Sequence, residues 1–81
     1  MKQQAESSDA LERIYMTRRE NLRMLASAPS SPGELGGKLG FSSQYLSQLI
    51  GANPTRTVSE KAARRIEDVL GLNNGWLDVA R

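Results

Sequence analysis

Apolar residues recur at helical spacing through most of this chain, and no stretch alternates as a strand would. Leu11, Ile14, Tyr15, Leu22 and Leu25 fall on one stripe with a period of about 3.6 residues, with Arg18 at its edge. Arg13, Arg19, Glu20 and Arg23 mostly lie elsewhere on the same helix, which is predicted over about Ala10 to Ala26 with Asp9 as its cap. SAPSSP should end it, because Pro29 biases Ala28 away from the helical region. Ser31-Pro32-Gly33-Glu34 then opens a second helix over about 32–39: a capping hydroxyl, a proline at the first helical position and an acid three residues after the cap. Leu35 and Leu39 face inward from it, and Gly40 follows where a left-handed residue would stop it. Ser42 caps a third helix that runs to Ile50, apolar at Leu46, Leu49 and Ile50 and polar at Ser43, Gln44, Ser47 and Gln48. GANPTRT is a loop. Thr57 or Ser59 caps a fourth helix over about 60–70, whose apolar face is Ala62, Ala63, Ile66, Val69 and Leu70, and Gly71 ends it. A short fifth helix is predicted within Gly75 to Ala80. Residues 1–8, MKQQAESS, are polar and aperiodic and read as a flexible arm ahead of one domain over 9–81. The expected fold is an all-α bundle of about five helices.

Composition narrows the chemistry. An 81-residue chain suits one domain. With 38% hydrophobic residues and 7 glycines it belongs with folded domains rather than disordered tails. It has no Cys and no His, which removes disulfides, thiolate metal sites and the commonest general base. The carboxylates show no spacing of a paired acid and base, so no enzyme, metal or cofactor is expected. No apolar run approaches the roughly 20 residues needed to span a bilayer, and MKQQAESSDA lacks a signal-peptide core. The expected location is the cytoplasm, with no membrane partner. The net charge of +2 matters less than its distribution. Between Glu34 and Glu60 there is no carboxylate, while Lys38, Arg56 and many hydrogen-bonding groups are present. Such a surface suits a phosphate backbone.

LGGKLG, residues 35–40, discriminates between functions. A phosphate-binding loop of the form G-x-x-x-x-G-K-[ST] needs glycine where Pro32 stands and a hydroxyl where Leu39 stands. The dinucleotide pattern needs glycine at Leu35 and a preceding strand. Both fail. A helix-turn-helix asks instead for apolar residues on each helix, a small residue where the helices cross, and a turn residue able to adopt positive φ. Leu35 and Leu39 on one side and Phe41, Leu46 and Leu49 on the other supply the first. Gly36 supplies the second, with Ala expected to be accepted and Leu not, and Gly40 supplies the turn. Gly37 has no assigned role.

Residues 32–51, PGELGGKLGFSSQYLSQLIG, resemble the helix-turn-helix of the phage lambda repressor and Cro family. RTVSEKAARRIEDVLGLNNGWLD resembles the fourth helix and tail of phage-type repressors, and with RRENLRML the likeness covers roughly residues 10–80. The resemblance implies a compact bundle of about five helices that binds operator DNA, usually as a homodimer on a pseudo-palindrome, with the second motif helix in the major groove. Many members begin the first motif helix with a phosphate-touching Gln. This chain has Pro32-Gly33 there, so the backbone N–H of Gly33 is the expected substitute. Ser43, Gln44, Ser47 and Gln48 are the expected base contacts, with the two glutamines, which sit where family members place such contacts, as main readers suited to adenine. Gly33, Lys38, Ser42, Tyr45 and Arg56 are the expected phosphate contacts, with Arg18 or Arg19 as further candidates. Arg64 and Arg65 are expected to be solvated beside Glu60, Glu67 and Asp68. Trp76 is expected in the core and Val79 at a dimer seam, with two recognition helices about 34 Å apart reading one operator. The expected function is sequence-specific binding of double-stranded DNA as a repressor, without a small-molecule ligand. A DNA-binding antitoxin and a helical protein-interaction module are the competing readings.

Overall fold

The computed structural model describes the backbone of residues 2–27 and 32–81, and the side chains of residues 9–27 and 34–81. The described residues are all-α, with no strand. Four helices follow in order: α1 Lys2–Ser27, α2 Pro32–Leu39, α3 Ser43–Ile50 and α4 Glu60–Leu70, and a single 3-10 turn at Trp76–Asp78 closes the fold. The cap expected at Ser31 and the stop at Ala28-Pro29 lie outside the described residues.

The first correction falls at the start. The helix expected from Ala10 begins at Lys2, so it runs through the segment read as an arm, and Asp9 is inside it rather than capping it. No glycine or proline occurs before Pro29, and Gln, Ala, Glu and Lys are good helix formers, so nothing local stops propagation. The inward stripe is also shifted. Leu22 and Ala26 are buried, Ile14, Tyr15 and Leu25 are half-buried, and Leu11 is 49% exposed because the rest of the molecule packs on the C-terminal part of α1. Val69, expected on the apolar face of α4, is 41% exposed, and the inward position belongs to Glu67.

The core joins Leu22 and Ala26 of α1, Leu35 and Leu39 of α2, Leu46 and Leu49 of α3, Ala63 and Ile66 of α4, then Val58 and Leu77. Each large apolar side chain buried there contributes roughly 1.5–3 kcal/mol. Val58 sits in the loop before α4 and anchors it from below. Helix α1 packs against α2, α3 and the 3-10 turn, while α2 packs against both α3 and α4.

Local capping explains the boundaries. The Ser42 hydroxyl accepts from the Tyr45 N–H at 3.0 Å and starts α3. Ser59, rather than Thr57, caps α4 by accepting from the Ala62 N–H at 3.1 Å. Gly71, with φ 71°, ends α4; its N–H donates to Asp68 and the Leu72 N–H to the Glu67 carbonyl. The fifth helix shrinks to one turn, because Gly75 stands at φ 91° immediately before Trp76 and no hydroxyl caps it.

An ionic latch fastens the C-terminal turn to α1 and α4. Arg18, placed by its spacing at the edge of the stripe, is 4% exposed. Its Nε donates to Asp78 at 2.6 Å, one terminal nitrogen donates to the Val58 carbonyl at 2.8 Å, and the other to Glu60 at 2.8 Å. These bonds hold the Arg18 pKa above its ordinary value against the opposing effect of burial. Asp78 is held below its ordinary value, first by the hydrogen bond from Arg18 and then by that from Arg64. Arg64 is not simply solvated. It reaches Glu60 at 3.2 Å and Asp78 at 3.1 Å, and its Nε lies 3.0 Å from Glu67 without hydrogen-bond alignment. Glu67, 1% exposed, accepts from the N–H groups of Gly75 at 2.9 Å and Leu77 at 2.8 Å. Asn21 completes the attachment by donating to the carbonyls of Leu77 and Val79, both at 2.9 Å.

Candidate nucleic-acid interface

The connection between α2 and α3 is short and tightly built. Gly40 has φ 73°, a conformation that costs a side-chain-bearing residue about 1–2 kcal/mol. The Phe41 N–H donates back to the Gly36 carbonyl at 2.9 Å, and Arg65 donates to the Leu39 carbonyl at 3.3 Å. Gly36 is buried, and a Cβ there would stand 3.0 Å from the Phe41 carbonyl oxygen and 3.7 Å from Leu46. That revises the expected tolerance of Ala. The obstacle is a main-chain carbonyl rather than the far end of a flexible side chain, so it yields poorly. Gly37 is exposed, with nothing within 4 Å of a Cβ.

This elbow sets the faces of α3. Leu46 and Leu49 point into the core, so Ser43, Gln44 and Ser47 are exposed and Gln48 is half-buried. Among the described residues, no side-chain hydrogen bond holds Ser43, Gln44 or Ser47. Gln48 differs: its Oε1 accepts from Arg56 Nε at 2.7 Å. It is therefore not the free reader expected from its position.

The loop after α3 folds back onto the same residue. The N–H groups of Thr55 and Arg56 both donate to the Gln48 carbonyl, at 2.9 and 3.0 Å. Arg19 holds the loop from behind, donating to the carbonyls of Leu49 and Arg56 at 2.8 Å each. Arg23 does the same for Ile50 and Gly51, at 3.1 and 2.9 Å. Arg18 and Arg19 are thus committed to internal bonds rather than to a phosphate. The signal for their roles was faint: both lie toward the buried side of α1, where a cation needs protein acceptors.

Tyr45 lies at the boundary of α3. Its ring meets Phe41 edge to face with centroids 4.9 Å apart, and the Arg56 guanidinium stands 6.0 Å from its centroid. Arg56 is exposed and pairs with no carboxylate among the described residues, so its charge is uncompensated. Lys38 is exposed on α2 and likewise has no carboxylate partner among the described residues. Gly33 lies in the first turn of α2, at the helix end where backbone N–H groups lack intrahelical partners. The Ser42 hydroxyl already accepts from the backbone and keeps its proton for donation. The structure thus brings Ser43, Gln44, Ser47, Gln48, Tyr45 and Arg56 together along one helix and its following loop.

At the far end, Trp76 is half-buried against the core, with the Arg81 guanidinium 4.0 Å from its ring centroid. Val79 is 57% exposed. Among the described residues no cluster of acids fits a metal ion, and no helix is long and apolar enough to cross a membrane. No protein-family model matches the chain, and no curated protein or solved structure matches it significantly.

Proposed function

We propose that this protein binds double-stranded DNA sequence-specifically and acts as a transcriptional regulator, a phage-type repressor that sits as a homodimer on a pseudo-palindromic operator. α3 enters the major groove, Ser43, Gln44, Ser47 and Gln48 face base edges, and Gly33, Lys38, Ser42, Tyr45 and Arg56 meet the flanking phosphates. The observation that carries this reading is the outward face of α3. Its side chains are uncharged hydrogen-bonding groups; among the described residues three of the four have no internal partner, and the only charge bonded to them is the cation Arg56. A face so furnished matches the donor and acceptor pattern of base edges, and the lack of carboxylates beside it lets a polyanion approach.

The test is a shift assay with duplexes selected from a random pool, comparing the wild type with Gln44→Ala. The variant should lose about 1–3 kcal/mol on the selected operator and relax preference at one base position. Equal weakening on every duplex would remove Gln44 from the set of readers.

A further inference from the structure

We infer that Arg56 decides which base Gln48 reads: by drawing the amide oxygen of Gln48 to its guanidinium it leaves the NH₂ as the group without a partner, so that Gln48 selects guanine rather than adenine. This rests on the proposed DNA-binding role of α3.

A glutamine free at both ends of its amide recognises adenine with two bonds, accepting from N6 and donating to N7. Gln48 is not free at both ends. Its Oε1 lies 2.7 Å from Arg56 Nε. The orientation of the amide is fixed by chemistry, since a guanidinium has only donors and the atom facing it must be the oxygen. The Nε2 group is left with no partner among the described residues. In the major groove guanine offers N7 and O6, two acceptors and no donor, whereas adenine places its N6 donor beside N7. Against adenine, the N6 donor could reach only the second lone pair of an oxygen already drawn to the Arg56 guanidinium, a poorer contact. Against guanine, both bonds can be donations from the same NH₂.

The arrangement is held before DNA arrives. The Arg56 backbone is pinned on two sides, its N–H to the Gln48 carbonyl and its own carbonyl to Arg19 at 2.8 Å. Tyr45 limits the guanidinium from the third side, 6.0 Å from its ring centroid. Only Nε is used toward Gln48, so the two terminal nitrogens remain for a phosphate. Arg56 is therefore a positioning residue for specificity as well as a cation for the backbone. A phosphate clamp alone would be blind to sequence.

Selection of bound duplexes by the wild type, Gln48→Ala, Arg56→Ala and Gln48→Glu separates the possibilities. The position whose preference vanishes in Gln48→Ala is the one Gln48 reads. The wild type should prefer guanine there by about tenfold, the range of a two-bond contact. Arg56→Ala frees Oε1 and should turn that preference to adenine, besides weakening all binding. Gln48→Glu keeps an acceptor for Arg56 but has no donor, so it should lose the guanine preference even if Arg56→Ala proves unfolded by circular dichroism. An adenine preference in the wild type would overturn the inference, as would an unchanged base preference in a folded Arg56→Ala. If Gln48→Ala alters no position, Gln48 reads nothing, while the DNA-binding role still stands on the selected operator. If the wild type enriches no sequence at all, the proposed function itself fails.

Discussion

At the scale of single residues, the three glycines of LGGKLG separate by what surrounds them. Gly37 faces solvent in mid-helix with nothing near a Cβ, so only the intrinsic preference of Ala over Gly acts there. Gly37→Ala should raise stability by up to about 1 kcal/mol. Gly40 holds positive φ, and Gly40→Ala should cost about 1–2 kcal/mol. Gly36→Ala should be destabilising because it presses on the Phe41 carbonyl at 3.0 Å. Thermal melts of the three variants check the order Gly37→Ala above wild type, the other two below. Only the expectation for Gly36 departs from what the sequence suggests. A close approach to a side chain and one to a main-chain carbonyl look alike in sequence, yet the first can yield and the second cannot.

Across elements, the spacing of apolar residues located α2, α3 and α4 to within a residue, because the sequence of each carries its own start and stop signals within eight to eleven residues. It failed for α1, where no punctuation marks the start, and for the final turn, which is held by Glu67 nearby and by Arg18, sixty residues away in sequence. Arg18 and Glu67 are the lesson. Both occupy inward positions on their helices, and a charge there signals a buried counterpart whose identity only the fold reveals. Asp78 is the member of that network with consequences for pH. Its pKa in the folded protein lies below its ordinary value of 3.8, which is the value that applies when the chain is unfolded. The folded state therefore binds this proton less readily, and the stabilisation is fully present above pH 3.8 and is lost as pH falls below that value. Melting temperatures measured on descending through this range should fall. Asp78→Asn should be less stable than wild type at neutral pH, and its melting temperature should fall less over the same descent. Parallel pH profiles for the two proteins would remove Asp78 from the account.

For the whole molecule, the all-α architecture was legible because apolar residues recur at helical spacing through most of the chain and no stretch carries a strand's period. The division of α3 into an inward and an outward face was legible too, since Leu46 and Leu49 fix the rotation of the helix. What the sequence hid was the occupation of that outward face: Gln44 and Gln48 look equivalent in spacing, but the loop after α3 returns to Gln48 alone. The proposed role places two copies of this face on one operator. In that role Lys38 and Arg56 of each protomer would neutralise phosphates, four cations in a dimer, each displacing about 0.9 counterion. Sequence-specific DNA binding is tested by following the affinity of the wild-type protein for its selected duplex and for a scrambled duplex from low to moderate salt. A log–log slope of about −3.6 is expected on the selected duplex, with tighter binding there than on the scrambled one at every salt concentration. Absence of binding at low salt, or equal affinity for the two duplexes, would contradict it.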